Sequence, residues 1–259
     1  MPTGALTIVG TGITVGLHLT AESRDALKGA DIVLFLVPDP VAASWLSTLN
    51  PRSRSLSRHY RPGTSREEIY ASIVDEILEE VRAGGNVCVA LYGSPAVFVR
   101  PSHDALRRAV EEGFEARMLP AVSALECLFV DLGIDPADTG LQSYEATDFL
   151  VHERTPDPSA ALVLWQMSVI GQEGAAPDAG GRGLSVLADY LAGWYPSDHE
   201  VVLYEASSYL IDSAAIQRLP LVELVEAQLS EMTTLYVPPA RTPSTSAAMR
   251  ERLGLASAD

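Results

Sequence analysis

The first half of the chain alternates short apolar runs with stretches whose apolar residues recur at helical spacing. Runs at residues 6–9, 32–37 and 87–91 are almost entirely apolar, which predicts strands that are buried on both faces of a sheet. A fourth strand is predicted at residues 114–119. The predicted helices are residues 20–29, 41–49, 65–81, 102–112 and 123–132. Because strands and helices alternate, the sequence predicts a parallel sheet with right-handed crossovers.

The second half changes character after a loop at residues 135–140. Its predicted strands are residues 161–166, 201–204 and 233–237. Its predicted helices are residues 184–191 and 220–229. Residues 171–183 are rich in glycine, alanine and proline, which predicts a loop that is either a lid or a plain insertion. We expect two α/β domains, at residues 1–121 and 122–239, followed by a short tail at residues 240–259.

Composition and charge exclude several classes of partner. A chain of 259 residues that is 47% hydrophobic can bury a large core. Its formal net charge of -16 argues against a nucleic-acid backbone or an anionic membrane surface as partner, although it tolerates a cationic cofactor. No apolar run reaches membrane-spanning length and no basic segment precedes the first strand. We therefore expect a cytoplasmic protein without a signal peptide.

The cysteines and histidines do not suggest a metal site. Cys88 and Cys127 both lie in apolar surroundings, which favours free thiols in a reducing compartment. The five histidines show no ligand spacing with one another or with the cysteines. A structural zinc site is therefore not expected.

Residues 86–98 are the stretch around which the chain is expected to be organised. Their apolar run predicts a central strand, with Tyr92 at its carboxyl end. Gly93 then permits a sharp bend, and Pro95 holds the preceding residue extended. Ligands of open α/β sheets bind outside the carboxyl ends of strands, so we expect the chemistry here. The alternative is an ordinary turn between a strand and a helix.

Three glycines follow the first strand, at Gly10, Gly12 and Gly16. A dinucleotide-binding fingerprint needs its third glycine three residues after the second, at the start of a helix. Here the interval is four residues, and the helix begins only after Thr20, a favourable N-cap. The glycines are better explained by a loop that passes close to a ligand or to another strand.

A group of tyrosine and arginine side chains is predicted at the start of the third helix. Ser65 and Glu68 form a capping box. Arg66 and Tyr70 are four residues apart, so they share one side of the helix, and Tyr60 is near on the preceding loop. A guanidinium, two phenols and a positive helix end can stabilise a developing oxyanion. The alternative is a surface arginine stacked on a tyrosine.

Several passages carry a resemblance to a known family. They are residues 92–98, 101–103, 117–124, 126–132, 144–150, 164–166 and 234–239. On these passages the chain is identified as a member of the tetrapyrrole methylase superfamily. Its members are S-adenosylmethionine-dependent methyltransferases with two α/β domains and the cofactor in the cleft between them. Within it, the chain most resembles the borosin peptide backbone α-N-methyltransferases of the omphalotin type, from residue 6 to about residue 239.

The resemblance implies a cofactor site and a catalytic group. The residues that would line S-adenosyl-L-methionine, and S-adenosyl-L-homocysteine as its product, are Tyr92, Ser94, Val97, Phe98, Ser123, Gln166, Ala206, Thr233 and Thr234. Those that would surround the methylated amide are Tyr60, Arg66, Tyr70 and Tyr92. Ser94 stands where a histidine is expected, and Ala121 where many relatives have glycine. For Ser123, a plain capping role is equally economical.

The implied reaction is N-methylation of backbone amides in a peptide. Arg66 and Tyr60 would bind the carbonyl oxygen as it gains charge. Tyr70, acidified by Arg66, would accept or relay the proton, and Tyr92 would hold the amide against the methyl group. No apolar core peptide follows residue 239. We therefore expect a separately encoded precursor peptide as substrate, and a homodimer as the assembly.

Other functions fit the sequence less well. The leading alternative is the same fold methylating a corrinoid or porphyrin, whose many carboxylates would require a basic cleft. A non-catalytic binding module would not need the tyrosines and the arginine. A nicotinamide-dependent enzyme fails on the glycine spacing. A hydrolase would need a Gly-x-Ser-x-Gly elbow or a histidine paired with a nucleophile, and neither is found.

Overall fold

Two five-stranded sheets form the framework of the protein. The computed structural model describes residues 3–172 and 181–255. The strands of the first sheet are β1 (Ala5–Gly10), β2 (Ile32–Leu36), β3 (Ser53–Ser55), β4 (Asn86–Leu91) and β5 (Glu115–Met118). They run parallel in the order β3-β2-β4-β1-β5. The predicted parallel sheet and the central position of β4 are therefore confirmed.

Helices cover both faces of the first sheet. They are α1 (Ala21–Gly29) and α2 (Pro40–Leu49) on one face, and α3 (Arg66–Arg82) and α4 (Arg100–Glu111) on the other. Leu27 and Leu46 belong to the core on the first face, and Ile73 and Ala105 to the core on the second. The inner strands are consequently buried on both sides, as their continuous apolar sequences predict.

Helix α3 begins at the capping box that the sequence predicts. Ser65 Oγ accepts a hydrogen bond from the Glu68 backbone N–H at 3.2 Å, and Glu68 Oε2 accepts one from the Ser65 N–H at 3.0 Å. The apolar positions of the helix are all buried, at Ile69, Ile73, Val74, Ile77, Leu78 and Val81. This buried face fixes the rotation of the helix, and with it the direction of Arg66 and Tyr70.

The second sheet is mixed. Its strands are β6 (Leu141–Glu145), β7 (Ala161–Trp165), β8 (Glu200–Glu205), β9 (Ala215–Pro220) and β10 (Thr234–Val237). The order is β6-β7-β10-β8-β9, in which β6 and β7 are parallel and the other pairs antiparallel. The helices that follow the first sheet are α5 (Ala124–Leu132), α6 (Ala146–Val151), α7 (Gly181–Ala192) and α8 (Ala247–Arg252). Helix α5 packs on one face of this sheet, and α6 and α7 on the other.

Three local predictions are wrong. Ser102 is not an N-cap, because α4 begins at Arg100 and the Ser102 hydroxyl donates to backbone carbonyls. Residues 220–229 do not form an α-helix, but the end of β9 and a short 3-10 helix at Leu221–Glu226. Helix α7 already begins at Gly181, so the predicted loop at residues 171–183 is too long. Its residues 173–180 lie outside the described residues.

Two further observations bear on the predictions from composition. Among residues 3–172 and 181–255, no helix is both long and apolar enough to cross a bilayer. Cys88 is buried and Cys127 half-buried, and both are free thiols, as the sequence predicts. The boundary between residues 121 and 122 stays a prediction.

Candidate active site

The loops after β1 and β4 meet at the point where the strand order reverses. The chain leaves β1 towards β2 on one side of the sheet, and leaves β4 towards β5 on the other. Such a switch point opens a crevice at the carboxyl ends of the strands. Here Gly12 N–H donates to the Gly93 carbonyl at 3.2 Å, and Gly93 N–H donates to the Gly12 carbonyl at 3.0 Å. The predicted close approach of the glycine loop to another strand is therefore confirmed.

The crevice floor leaves no space for a side chain at Gly10. A Cβ there would lie 2.2 Å from the Gly93 carbonyl oxygen and 2.5 Å from Cβ of Ala121. We expect Gly10→Ala to displace the loop after β4, to lower the free energy of unfolding by about 1–3 kcal/mol and to weaken cofactor binding. Thermal unfolding and calorimetric titration with S-adenosylmethionine measure both effects. Gly29→Ala is the matched control, because nothing lies within 4 Å of its added Cβ; equal behaviour of the two variants would contradict this account.

Two predicted cofactor residues have left-handed backbone conformations. Phe98 has φ 53° and Gln166 has φ 60°. Non-glycine residues rarely adopt this region, and such residues cluster at functional sites. The Phe98 ring lies 5.5 Å from the ring of Trp165, centroid to centroid. This contact places Phe98, from the first sheet's loop, beside the residue that precedes Gln166 in the second.

The other predicted cofactor residues, apart from Ser123, lie at the ends of strands in the two sheets. Tyr92, Ser94 and Val97 belong to the loop after β4, where Ser94 is buried and Val97 half-buried. Ala206 follows β8, and Thr233 and Thr234 lie at the start of β10. Because β10 is antiparallel to both β7 and β8, its start lies beside the end of β7, where Gln166 follows. Gln166, Ala206 and the two threonines therefore lie at the same end of neighbouring strands in the second sheet.

Ser123 serves as the N-cap of α5. Its hydroxyl donates to Glu126 Oε2 at 2.5 Å and accepts from the Leu125 N–H at 3.2 Å. Its backbone N–H also donates to Glu126 Oε2, at 2.7 Å. The capping role therefore accounts for the hydrogen bonds of the Ser123 hydroxyl. A contact between Ser123 and a cofactor stays a prediction.

Direct contacts join the two sheet edges across the cleft. Arg66 Nη1 donates to Gln166 Oε1 at 3.0 Å, and Val15 N–H donates to the Ser208 carbonyl at 3.0 Å. The Tyr209 hydroxyl donates to the Asp39 carboxylate. The first of these contacts links a predicted catalytic residue with a predicted cofactor residue.

Tyr60, Arg66 and Tyr70 influence one another electrostatically. Tyr60 keeps 43% of its surface exposed, yet partial burial raises the pKa of its phenol to about 12, with a further rise from Tyr70 and a fall from Arg66. Burial also raises the pKa of Tyr70, and the lowering effect of Arg66 is smaller. The expectation that Arg66 leaves Tyr70 acidified is therefore wrong in its net direction, because desolvation of the phenolate outweighs the neighbouring cation.

Tyr92 has a different electrostatic environment from that of Tyr60 and Tyr70. Burial raises the pKa of its phenol to about 12, and a hydrogen bond with Ser208 opposes that rise. The carboxylates of Glu205 and Asp39 raise the pKa of Tyr92 further, by electrostatic repulsion of a phenolate. A cation placed near Tyr92 would be attracted by the same two carboxylates.

The charges of Glu145 and Arg100 also act on the pKa of Tyr70, and sequence reasoning missed both residues. The Glu145 carboxylate raises the pKa of Tyr70, whereas Arg100 lowers it. Glu145 Oε2 accepts from the Asp148 N–H at 2.6 Å; its Oε1 is buried and has no hydrogen-bond partner among the described residues. The position of Glu145 at the carboxyl end of a strand was the available signal, but the polar sequence of β6 conceals that strand.

The described part of the chain brings together no three His, Cys, Asp or Glu side chains in a group that could hold a metal ion. The polar groups at the cleft are instead an amide, hydroxyls, phenols, guanidinium groups and carboxylates. An amide such as Gln166 can bind both the amine and the carboxylate of an amino acid. The exposed Phe98 ring offers an apolar face, and the carboxylates near Tyr92 suit a sulfonium cation. This set fits S-adenosylmethionine.

Comparison with known proteins places the chain in a family. Residues 5–219 match the family described as Tetrapyrrole (Corrin/Porphyrin) Methylases. The chain is 37% identical over 261 residues to the methyltransferase/ribosomally synthesized cyclic peptide gymnopeptides precursor of Gymnopus fusipes, over 99% of this chain and 62% of that protein. It is 36% identical over 241 residues to the methyltransferase/ribosomally synthesized cyclic peptide omphalotin A precursor of Omphalotus olearius, over 91% and 58%. The chain thus spans about three fifths of the length of these curated relatives.

Solved structures share the fold at lower sequence identity. Uroporphyrin-III-C-methyltransferase from Thermus thermophilus superposes with a TM-score of 0.62 and 20% identity, covering 97% of this chain and 96% of that one. A structure of uroporphyrin-III C-methyltransferase from Thermus thermophilus complexed with S-adenyl homocysteine gives a TM-score of 0.62 and 18% identity, covering 91% and 92%. The chain therefore belongs to the tetrapyrrole (corrin/porphyrin) methylase family, as the sequence predicts, and has that family's α/β fold, in which helices pack on two β-sheets.

Proposed function

We propose that this S-adenosylmethionine-dependent methyltransferase N-methylates backbone amides of a precursor peptide. One observation carries the proposal: Arg66 Nη1 donates to Gln166 Oε1 at 3.0 Å. This contact holds the guanidinium of the predicted amide-binding group against the edge that we assign to the cofactor. Both curated relatives are named as precursors of ribosomally synthesized cyclic peptides, which supports a peptide substrate.

A backbone amide is a difficult substrate for methylation. The nitrogen lone pair is delocalised into the carbonyl, so the nitrogen is a weak nucleophile. It becomes reactive when its proton is removed and the negative charge moves to the carbonyl oxygen, as in an imidate. An enzyme for this reaction therefore needs donors at the carbonyl oxygen and an acceptor for the proton.

The side chains at the cleft can meet both needs. Arg66 is permanently charged and can donate to the carbonyl oxygen, and the Tyr60 hydroxyl can donate beside it. Tyr70 releases its hydroxyl proton towards solvent and accepts the N–H proton in its place, while Tyr92 holds the amide in line with the methyl donor. S-adenosylmethionine supplies a methyl group on a sulfonium; as the new N–C bond forms and the S–C bond breaks, the products are N-methyl amide, S-adenosylhomocysteine and the released proton.

The proposed reaction can be tested with purified protein. It would be incubated with S-adenosylmethionine carrying a deuterated methyl group and with short apolar peptides that are blocked at both ends. Tandem mass spectrometry would then locate each added methyl group. We expect it on backbone nitrogen. Label found only on side chains, or on no peptide of the panel, would contradict the proposal.

Supply of the peptide by a separate chain is part of the proposal. The names of the curated relatives combine methyltransferase and precursor in a single protein, so the two arrangements must be distinguished. Intact-mass analysis after incubation with the methyl donor, without added peptide, makes that distinction. We expect the mass of the chain to stay unchanged; self-methylation would show that a fused arrangement operates. The homodimer and the cytoplasmic location stay predictions from the sequence.

Methylation of a corrinoid or porphyrin is the second candidate, favoured by the family's name. The charges at the cleft argue against it. Carboxylates of Glu145, Asp39 and Glu205 act on the pKa values of Tyr70 and Tyr92, and they would repel a substrate that carries many carboxylates. Incubation of the same protein with uroporphyrinogen decides the matter, because label on carbon of the macrocycle would favour this second function.

The pH dependence of methylation should report the two charges beside Tyr70. If Tyr70 loses a proton to become the acceptor, the rate rises with pH through its pKa, which burial places above its ordinary value of 10.0. Glu145→Gln removes a charge that raises this pKa, so the rise should move to lower pH. Arg100→Gln removes a charge that lowers it, so the rise should move to higher pH, by a smaller amount because Arg100 is largely exposed.

Single-turnover rates across the alkaline range measure both shifts. Low ionic strength should enlarge the Arg100 effect and high salt should suppress it. Shifts in the same direction for both variants, or none, would exclude ionisation of Tyr70 as the event behind the profile.

A further inference from the structure

Helix α3 carries one buried acidic residue, Glu76, which is 7% exposed. All other buried residues of this helix are apolar. Glutamate is almost never buried without a partner. The sequence pattern of α3 gives no reason for a carboxylate at this position, so its role must come from the groups that it contacts.

Glu76 binds three side chains from the segment that precedes the helix. Its Oε1 accepts from Arg54 Nε at 2.9 Å. Its Oε2 contacts Arg58 Nη2 at 2.5 Å and His59 Nε2 at 2.6 Å. Glu80 lies one helical turn further; among the described residues its carboxylate contacts a single side chain, accepting from Arg54 Nη2 at 2.7 Å. Glu76 is thus the member of this cluster that holds Arg58 and His59.

The segment held by Glu76 leads directly into Tyr60. Arg58 and His59 belong to a single 3-10 turn, Ser57–His59, which is closed by a hydrogen bond from the Tyr60 N–H to the Ser57 carbonyl at 3.0 Å. Tyr60 is the first residue beyond this turn. On its other side the chain reaches the capping box at Ser65 within five residues. Both ends of the short loop that carries Tyr60 are therefore fastened to α3.

We infer that Glu76 is a positioning residue for the Tyr60 phenol. It fixes the turn before Tyr60 to the same helix that carries Arg66 and Tyr70, and so sets the distance between the two donors for the carbonyl oxygen. Glu76 lies six residues beyond Tyr70, about 9 Å along the helix axis, and acts only through Tyr60. The inference rests on the proposed function, because it assigns Tyr60 to the substrate amide.

The first test compares two neighbouring carboxylates of α3. Glu76→Gln is expected to lower kcat for peptide methylation by roughly tenfold to a hundredfold, because small displacements of a catalytic group have effects of this size. Its KM for S-adenosylmethionine should stay within about twofold, because Tyr60 is not a predicted cofactor residue. Glu80→Gln also removes a partner of Arg54 but leaves Arg58 and His59 in place, and its kcat should stay within about twofold. Equal kcat for the two variants would overturn the inference.

A double-mutant cycle separates positioning of Tyr60 from general damage. In a Tyr60→Phe background the hydroxyl is already absent, so Glu76→Gln should lower kcat by less than about twofold further. A full additional loss in that background would mean that Glu76 acts elsewhere. His59→Ala is the second variant, in case Glu76→Gln fails to fold. It leaves Glu76 paired with both arginines, and should show a smaller loss of kcat that also disappears in the Tyr60→Phe background.

Hydrogen exchange tests the anchoring without any peptide substrate. Backbone amides of residues 57–64 should exchange faster in Glu76→Gln and in His59→Ala than in the parent protein, and at the parent rate in Glu80→Gln. Unchanged exchange in all three variants would refute the anchoring. If the parent protein methylates no peptide, the proposed function fails, while the exchange result still decides whether Glu76 holds the Tyr60 segment.

Discussion

Replacing Tyr70 by phenylalanine is expected to lower the rate of peptide methylation by about a hundredfold or more. Proton transfer by a positioned side chain contributes factors of this order. The ring of Tyr70 packs against the core beneath α3, so phenylalanine should keep the fold and remove only the hydroxyl. Because the proton moves only during reaction, kcat should fall while KM for the peptide changes little. Steady-state kinetics with the labelled methyl donor measures both constants.

Tyr190→Phe is the matched control for this substitution. The Tyr190 hydroxyl donates to the Arg154 carbonyl at 3.3 Å, and its ring packs on Phe149 on the face of the second sheet that carries α6 and α7. Removal of that hydroxyl should leave kcat unchanged. Parental activity of Tyr70→Phe would remove Tyr70 from the proton path, whereas an equal loss in both variants would point to a general effect of losing a tyrosine hydroxyl.

Replacing Arg66 by methionine should lower the rate of peptide methylation by a similar or larger factor. Removal of a single donor to a developing oxyanion typically lowers kcat by about 10²–10³-fold. Arg66 also donates to Gln166 Oε1, so its loss should weaken binding of S-adenosylmethionine as well. Arg66→Lys keeps the charge but not the planar pair of donors, and should recover only part of the rate. Single-turnover kinetics and calorimetry separate the two effects.

The control for Arg66 lies five residues earlier, in the loop that precedes α3. Arg61 is exposed, and its guanidinium donates only to the Arg58 backbone carbonyl, at 3.4 Å, among the described contacts. Arg61→Met removes an equal charge near the cleft without removing a donor from it. If both arginines gave the same loss, a general field from cationic residues would explain the result, and the specific role of Arg66 would have to be abandoned.

The parts of the fold that the sequence predicts well are those with strong local signals. Strand β4 has a continuous apolar run, and α3 has both a capping box and a regular apolar face. The three strands that were not predicted, β3, β6 and β9, all lie at an edge of a sheet. Edge strands pair on one side only and are less buried, so polar residues are tolerated there. Their sequences, such as Ser53–Ser55, consequently resemble loops.

The 3-10 helix at Leu221–Glu226 was predicted as an α-helix for a related reason. Leu221 and Leu224, three residues apart, are its buried residues, and a spacing of three fits one turn of either helix type. Within the candidate site, spacing alone indicates that Arg66 and Tyr70 share a side of α3. The contact of Arg66 with Gln166 spans one hundred residues and depends on how the two sheets face each other. Burial of the Tyr70 phenol, which reverses the expected direction of its pKa, is likewise invisible in the spacing.

The anatomy of the cleft also bears on how this lineage could diversify. On the proposed assignment, three of the four groups that face the acceptor molecule come from one uninterrupted stretch, residues 60–70. The methyl donor is instead bound by segments from both sheets. Mutation within that stretch can alter which acceptor is modified while leaving binding of the methyl donor intact. Descendants of a single ancestral methylase could in this way adopt unlike acceptors, with selection concentrated on a few neighbouring codons.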